Sequence, residues 1–104
     1  MPKFIFAYHG GKKPETPEAG AEFMARWRAW SSEHDAAFLN KGAPVGMSKT
    51  VSADGVADDG GPNPLSGYSI LEVDSMDAAL DIAKTCPHVE HGTIEVAPLM
   101  DMEM

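Results

Sequence analysis

The sequence predicts an α+β fold in which the elements follow the order β-α-β-β-α-β. Three segments carry this prediction. Lys3 to His9 is rich in β-branched and aromatic residues, Thr16-Pro17-Glu18 has the composition of a helix start, and Gly67 to Leu80 contains a strand, a helix cap and a helix in succession. This order is that of the ferredoxin-like fold, an antiparallel sheet in the order 4-1-3-2 with both helices on one face.

The first strand is expected to be central in the sheet, because both of its faces are apolar. Phe4, Phe6 and Tyr8 lie on one face, and Ile5 and Ala7 lie on the other. The helices of this fold cover only one face, and an apolar face left open is most simply covered by the same face of a second copy. We therefore expect a homodimer through the open sheet face.

The first helix is predicted to run from its cap at Thr16 to about Asn40. Pro17 suits the first helical position, and Gly42 suits the left-handed position after the last turn. Its expected buried stripe has helical spacing and consists of Phe23, Trp27, Trp30, His34 and Phe38. We interpret His34 as a structural residue of this stripe.

Two further strands and a long loop are expected in the rest of the chain. Val45 to Val51 is predicted to be strand two, and Thr93 to Leu99 strand four. Ser52 to Ser66 is dense in Gly, Pro, Asp and Asn and is predicted to be a loop without a strand. Its length exceeds that of most connections, which is typical of lids and binding loops.

Strand three and helix two are predicted from the segment that starts at Gly67. The strand alternates between a face with Tyr68 and a face with Ser69, and Asp74 or Ser75 caps the helix. The helix runs from Met76 to about Thr85. Its expected buried residues are Met76, Ala79, Leu80 and Ala83.

Composition favours a single folded domain over residues 1–104 and excludes several partners. The 43% of apolar residues is ordinary for a globular chain, and a net charge of −8 would repel nucleic acid and anionic lipid. Cys86 is the single cysteine, and no apolar run approaches the roughly 20 residues of a membrane span. We expect a cytoplasmic protein without a membrane or nucleic-acid partner.

Polar residues are expected to meet at one end of the sheet, where strand one ends and strand three begins. They are His9, Asp58, Asp59, Tyr68, Cys86, His88 and His91. Imidazole, carboxylate and phenol groups in one cleft can move protons near neutral pH. We expect His9, Asp59 and Tyr68 to be catalytic, with His9 as the base. Trp27, Asp58 and His88 are expected to bind the ligand.

Each of these residues also has a simpler explanation. His9 at a strand end can be an ordinary hydrogen-bonded residue, and Tyr68 can cover the dimer interface. Asp58 and Asp59 are favoured in glycine-rich turns because they bond the local backbone, and Trp27 at helical spacing can belong to the core.

No metal or organic cofactor is predicted. Cys86, His88 and His91 are potential zinc ligands, but their spacing is not that of a recognised site. A cysteine at the end of a helix faces the negative end of the helix dipole, so we interpret Cys86 as a small buried residue. Gly10-Gly11-Lys12-Lys13 lacks the remaining residues of a nucleotide-binding loop.

Several stretches of the chain together resemble one protein family. They are Trp27-x-x-Trp30 before Gly42, Tyr68 to Leu80 followed by Ala83, Cys86-Pro87, and Gly92 to Pro98. This pattern is similar to the YCII-related, or DGPF-domain, family and covers most of the chain from Met24 onward. The chain departs from the family pattern in two places. Asp59-Gly60-Gly61-Pro62-Asn63 stands where the family often has Asp-Gly-Pro-Phe, and the helix-one histidine of the bacterial branch has no counterpart at the matching position, which is near Ser31.

The resemblance implies a dimeric α/β-barrel in which two ferredoxin-like units pack sheet against sheet. It also implies similarity to small-molecule isomerases and dehydrochlorinases that use His and Asp for proton transfer, or to accessory domains associated with sigma factors. The sequence thus favours a cofactor-free acid-base enzyme of isomerase or lyase type. The alternatives are a binding module for a small ligand or a protein partner, and, less favoured, a metal-binding protein.

Overall fold

The computed structural model describes residues 1–11 and 13–100, and over this part of the chain it contains one larger sheet, one small hairpin and two α-helices. The strands are β1 (Lys3–Gly10), β2 (Phe38–Pro44), β3 (Thr50–Ser52), β4 (Gly55–Ala57), β5 (Leu65–Glu72) and β6 (Gly92–Pro98). The helices are α1 (Pro17–Glu33) and α2 (Met76–Lys84), and 3-10 turns occupy Asp35–Ala37 and Pro87–Glu90. Among the described residues, no helix combines the length and the hydropathy needed to cross a bilayer.

The larger sheet has the strand order β2-β5-β1-β6, and all of its pairs are antiparallel. Numbered along the chain, its strands lie in the order 2-3-1-4, although the second of them is not the segment that the sequence predicted. Ile5 lies opposite Ile70, and Ala7 lies opposite Tyr68. The α+β class and the central position of β1 are therefore confirmed.

Both helices pack against one face of this sheet, which we call the covered face. Its core consists of Phe4, Phe6, Tyr8, Trp30, Leu71, Val73, Ala79, Ala83 and Cys86. The opposite, open face carries the alternate strand residues, among them half-buried Ile5 and Ile70. The period of two residues in a strand separates the two sets.

The helix starts follow the capping chemistry that the sequence predicted. Thr16 Oγ1 accepts a hydrogen bond from the Ala19 N–H at 3.1 Å, and Pro17 takes the first helical position. Ser75 Oγ accepts from the Ala78 N–H at 3.1 Å and so caps α2. The prediction that α2 buries Leu80 was wrong, because that side chain is 36% exposed.

The predicted end of α1 at Asn40 was wrong, since the helix ends at Glu33. The chain passes through a 3-10 turn and Phe38 begins β2, where it lies opposite Leu71 and packs against Trp30 with ring centroids 5.4 Å apart. Phe38 thus reaches the core from a strand instead of a helix. Pairing with a distant strand has overridden the helical spacing.

Gly42 also has a different role from the one predicted. It lies within β2 at a φ of +76°, where the strand register is irregular, and its N–H donates to Asn40 Oδ1 at 2.8 Å. A Cβ at this position would overlap the Tyr68 carbonyl of the neighbouring strand. Glycine is therefore needed for a bulge and a close strand approach, not for a helix end.

The segment predicted as strand two and loop is arranged differently in the structure. Pairing of β2 with β5 ends where the Val45 N–H donates to the Ser66 carbonyl at 3.0 Å. The chain then forms a separate hairpin of β3 and β4, in which Val51 lies opposite Val56. The strand prediction for Val45 to Val51 and the prediction of a strand-free loop from Ser52 were both wrong.

Candidate functional site

A cavity of about 450 Å³ lies on the covered face, at the end of the sheet where α1 begins. Its volume lies in the usual range for small-molecule sites. The residues that line it are Tyr8, Gly10, Gly11, Phe23, Met24, Trp27, Lys41, Gly42, Ala43, Pro44, Ser66, Gly67, Tyr68, Ser69, His88 and His91. Five elements supply them: α1, the ends of three strands and the turn that precedes β6.

Aromatic rings form the wall of the cavity. Trp27, on α1, meets the ring of Tyr8 edge to face, with centroids 5.3 Å apart, and meets Trp30 in the same way at 5.3 Å. Trp30 is anchored in turn, because its indole N–H donates to the Ile82 carbonyl at 3.1 Å. The wall is therefore held by core packing, which favours a preformed site for a planar apolar ligand.

Tyr8 takes part in a hydrogen-bond chain at the floor of the cavity. The Ser69 hydroxyl donates to the Lys41 carbonyl at 2.8 Å, so its oxygen is left to accept from the Tyr8 hydroxyl, also at 2.8 Å. Burial raises the pKa of Tyr8, and the hydrogen bond with Ser69 offsets only part of that effect. Tyr8 is thus a neutral phenol that offers a ligand its lone pairs and not its proton.

His88 is the imidazole held deepest in the cavity wall, with 8% of its surface exposed. Its Nε2 lies 2.9 Å from the main-chain carbonyl of His9, and its ring meets that of Tyr8 at 5.4 Å. A Cβ at Gly92 would lie 2.6 Å from Nε2. Glycine at this position therefore lets the ring reach the backbone of β1.

His91 lies at the mouth of the cavity and is exposed. Its ring stacks obliquely on Phe23, with centroids 5.9 Å apart. The preceding turn is tied to α1 by a two-pronged ion pair, in which Arg26 donates to Glu90 at 2.6 and 2.9 Å. This pair fixes the turn that carries His88 relative to the helix that carries Trp27.

The charge of the cavity wall differs from that of the whole chain. Although the chain has 16 acidic residues, none of the described residues that line the cavity is Asp or Glu. The basic residues that line it are Lys41, His88 and His91, and the Lys41 side chain forms an ion pair with Asp35 at 2.7 Å. A neutral or weakly acidic ligand meets no repelling carboxylate in this wall.

Three of the six residues proposed from the sequence line this cavity: Trp27, Tyr68 and His88. Tyr68 lies opposite Ala7 in the sheet and alternates with Ser69, so its side chain extends on the open face. The structure therefore brings Trp27 and His88 together and places the Tyr68 ring apart from them.

His9 lies on the open face, one residue beyond Tyr8. Its Nε2 is 3.1 Å from Glu95 Oε1, and its Nδ1 is 3.0 Å from the Asn63 carbonyl and 3.3 Å from the Pro64 carbonyl. The side chain is 12% exposed. Its main-chain carbonyl, in contrast, reaches the cavity wall through His88.

The two loop carboxylates are engaged locally and do not line the cavity. Asp58 forms an ion pair with Lys49 at 3.0 Å. Asp59 Oδ1 accepts from the Gly61 N–H at 3.0 Å, and its carbonyl accepts from the Thr50 hydroxyl at 2.7 Å. These are the backbone contacts typical of Asp in glycine-rich turns.

Sequence reasoning did not identify Tyr8 and Ser69 as site residues, because it assigned them only to a face of their strands. One signal was available. Tyr8 is in phase with Phe4 and Phe6, but it is the last of the three in the strand and carries a hydroxyl group. A polar ring at the end of an apolar strand face is a candidate for a cavity wall.

Cys86 is buried behind the cavity and does not line it. Burial raises the pKa of its thiol to about 12, and a backbone hydrogen bond from His88 only partly offsets this. Within residues 1–11 and 13–100, His, Cys, Asp and Glu side chains form no cluster of three or more with the arrangement of a metal site.

Comparison with known proteins identifies a family and a fold relative. The sequence profile of the family described as "YCII-related domain" matches residues 4–103. No curated protein matches the chain. A solved structure, 5-chloro-2-hydroxyhydroquinone dehydrochlorinase (TftG) from Burkholderia phenoliruptrix AC1100 in complex with 2,5-dihydroxybenzoquinone, superposes with a TM-score of 0.57 at 17% identity, covering 91% of this chain and 90% of its own. At this identity the likeness shows a shared fold.

Proposed function

The chain belongs to the YCII-related family, and on the strength of its aromatic-lined cavity we propose that it is a cofactor-free small-molecule enzyme with acid-base chemistry of isomerase or lyase type. The observation that carries the proposal is the convergence of Tyr8, Trp27 and His88 on one cavity of about 450 Å³. A shaped apolar wall with a few polar groups is the usual form of a small-molecule site.

The solved structure with the same fold also supports a small-molecule enzyme. It is a dehydrochlorinase, and its structure holds a planar hydroxylated quinone. A planar ring of this kind suits a wall built from Phe23 and Trp27, because offset and edge-to-face contacts with aromatic rings are favourable. We therefore propose a ring compound as the ligand of the cavity.

The catalytic roles of His9, Asp59 and Tyr68 remain part of the proposal. His9 and Tyr68 both extend on the open face, so a reaction that uses them would take place there and not inside the cavity. A ligand-binding role is proposed for Trp27 and His88, which line the cavity.

Asp58 is the sixth residue of the proposed set. Its ion pair with Lys49 lies on the exposed connection between β2 and β5, with 93% of the Asp58 side chain exposed. A role in ligand binding would require this connection to fold over the cavity mouth, as binding loops do.

A second candidate function is a binding module without catalysis. It is favoured by the hydrogen-bond chain at the cavity floor, in which the Tyr8 proton is committed to Ser69 and the Ser69 proton to the Lys41 carbonyl. A floor of this kind recognises a ligand by accepting a hydrogen bond and needs no proton transfer.

Homodimerisation through the open face is also proposed. Ile5 and Ile70 lie opposite each other on this face with their side chains half-buried, and Ala97 lies opposite Ile5 on the other side. Such an apolar strip is commonly covered by a second copy. In analytical ultracentrifugation we expect a dimer that Ile70→Asp converts to monomer, whereas Val51→Asp in the exposed hairpin leaves it intact.

The function is tested by a ligand and turnover screen. Hydroxylated quinones, including 2,5-dihydroxybenzoquinone, and ring lactones are added to the protein while tryptophan fluorescence reports binding and NMR reports conversion. We expect binding that Trp27→Ala weakens at least about tenfold, as the loss of one aromatic contact allows, and that Val51→Ala leaves unchanged.

The outcomes separate the two candidate functions. Conversion of a bound compound supports the enzyme, and saturable binding without conversion of any compound supports the binding module. Absence of both binding and conversion across the screen overturns the cavity as a small-molecule site.

A further inference from the structure

We propose that His88 is the proton acceptor of the cavity and acts through Nδ1 on a weakly acidic hydroxyl group of the ligand; this inference rests on the proposed function. The reaction step is a simple proton transfer. The Nδ1 lone pair takes the proton, the ligand O–H bond breaks, and its electron pair remains on the ligand oxygen. An imidazolium and an oxyanion result, and the reverse transfer restores both groups.

The first observation concerns the other nitrogen of the ring. Nε2 lies 2.9 Å from the main-chain carbonyl of His9, and a carbonyl oxygen only accepts. Nε2 therefore carries the hydrogen, and in the neutral ring the lone pair must lie on Nδ1. The backbone of β1 sets this tautomer, in the way that a carbonyl commonly orients a catalytic or metal-bound imidazole.

The second observation is that Nδ1 remains available. No hydrogen bond to this atom exists within the described part of the chain, and Nδ1 is not among the fully buried polar atoms that lack a partner. It therefore retains accessible surface. Because His88 is only 8% exposed and lines the cavity, we infer that this surface faces the cavity.

The other two imidazoles near this end of the sheet do not combine a ring held by a hydrogen bond with a nitrogen that is accessible from the cavity. The His9 side chain lies on the open face, with Nε2 near Glu95 and Nδ1 near the Asn63 carbonyl, so its ring is not presented to the cavity. His91 is exposed at the mouth, and no hydrogen bond orients its ring within the described residues. His9 instead contributes to the cavity through its carbonyl, which holds His88.

The wall around His88 suits the charges that the step creates. The His9 carbonyl faces the Nε2–H of the imidazolium and stabilises it. Since none of the described residues that line the cavity carries a carboxylate, the oxyanion meets no like charge from them. Tyr8 cannot supply the proton in place of the ligand, because its hydroxyl donates to Ser69 and burial raises its pKa.

The first test reads the tautomer in the unmodified protein. Nitrogen-detected NMR of the four histidines distinguishes a protonated Nε2 from a protonated Nδ1. We expect His88 in the neutral protein to be protonated at Nε2. Protonation at Nδ1 would overturn the proposal without bearing on whether the cavity binds ligands.

The second test uses 4-nitrophenol, whose phenolate absorbs visible light and whose phenol form does not. At a pH about one unit below the pKa of the free probe, we expect the wild-type protein to bind it and to generate the phenolate band. His88→Gln keeps an N–H donor for the His9 carbonyl but removes the basic nitrogen, so it should bind the probe and lose the band. The matched control His34→Gln, at an imidazole that does not line the cavity, should keep both.

Each contrary result has a separate meaning. A phenolate band that persists in His88→Gln overturns the assignment of His88 while leaving the cavity as the binding site. Failure of the wild-type protein to bind the probe, judged from tryptophan fluorescence, overturns the assignment together with the hydroxyl-bearing ligand class. If His88→Gln fails to fold, the tautomer measurement alone decides.

Discussion

The two faces of the sheet differ in how their residues are used. On the covered face Phe6 and Leu71 are fully buried, and the polar Tyr8 and Ser69 satisfy each other. On the open face, the apolar side chains are only half-buried and His9 is paired with Glu95. The covered face combines a rigid core with a cavity, whereas the open face is an apolar strip with charges at its edge.

Two adjacent residues of β1 show how the face of the sheet decides the role of a side chain. Tyr8 and His9 are consecutive in β1, yet Tyr8 forms the cavity floor and the His9 side chain extends on the opposite face. A position at the correct end of the sheet is thus insufficient to place a residue in the site. The face on which the side chain lies decides which chemistry it can perform.

The largest expected effect is a difference in the free energy of unfolding between a variant of the covered face and a variant of the open face. Phe6→Ala should lower the free energy of unfolding by about 3–5 kcal/mol, because it leaves a cavity in the fully packed core. Ile70→Ala should cost less than about 1.5 kcal/mol in dilute protein, where its half-buried side chain loses little contact. Urea unfolding measures both, and equal losses at every protein concentration would contradict the distinction.

The next largest effect on stability is expected where Gly42 of β2 approaches the backbone of β5. Gly42→Ala combines a left-handed φ of +76° with a side chain that overlaps the Tyr68 carbonyl, so we expect a loss of at least about 2 kcal/mol. Gly46→Ala is the matched control, because no atom lies within 4 Å of its added Cβ. Thermal unfolding of the two variants measures the effect, and similar midpoints would speak against the bulge.

Because the Cys86 thiol is buried behind the covered face, we expect the protein to lose stability at alkaline pH. The pKa of the Cys86 thiol rises from an ordinary value of 9.0 to about 12, chiefly through burial. Between these values the unfolded chain releases the proton and the folded chain keeps it, so the unfolded state is favoured as pH rises. This one group contributes a decline of up to about 1.4 kcal/mol per pH unit in that window.

Cys86→Ala removes that contribution and should flatten the decline in unfolding free energy above pH 9.0. Slopes are compared instead of absolute values, because the smaller side chain changes packing at every pH. Tyr8, whose pKa burial also raises, should keep a residual decline in the variant. An unchanged slope in Cys86→Ala would show that the thiol is not desolvated.

The smallest expected effect lies at the exposed rim of the cavity. Arg26→Gln removes the hydrogen bonds that lower the pKa of Glu90, so that pKa should rise toward its ordinary value in a carboxyl NMR titration. The stabilisation from this pair is present above the pKa of the unfolded state and is lost as pH falls. Because the pair is exposed, the unfolding midpoint at neutral pH should hardly change, and a large shift would indicate a structural role beyond the rim.

The fold was more predictable from sequence than the site. The starts of both helices and the faces of β1 and β5 follow from local signals, namely the caps at Thr16 and Ser75 and the alternation of apolar residues. The end of α1 was misplaced because Phe38 fits a helical stripe and also fits a strand opposite Leu71. Only the distant strand distinguishes these possibilities.

The same distinction between local signals and distant contacts applies to the proposed site residues. Trp27 and His88 were predicted to bind the ligand from helix periodicity and connection topology, and both line the cavity. Their ligand-binding role stays a prediction. Tyr8 was missed because its alternation is that of a core residue, and the cavity beside it forms only when the distant elements pack together. For His9, the correct strand end was predicted, but the contribution of its carbonyl was not visible in the sequence.

The sequence by itself determined the type and order of most elements, because caps and apolar periods depend on residues a few positions apart. The tertiary structure alone decided where β2 lies, which face borders the cavity and which nitrogen of His88 is free. The hydrogen bond between His88 and the His9 carbonyl spans 79 positions, and that between Tyr8 and Ser69 spans 61. Contacts at such separations depend on how the elements pack, and no local pattern encodes them.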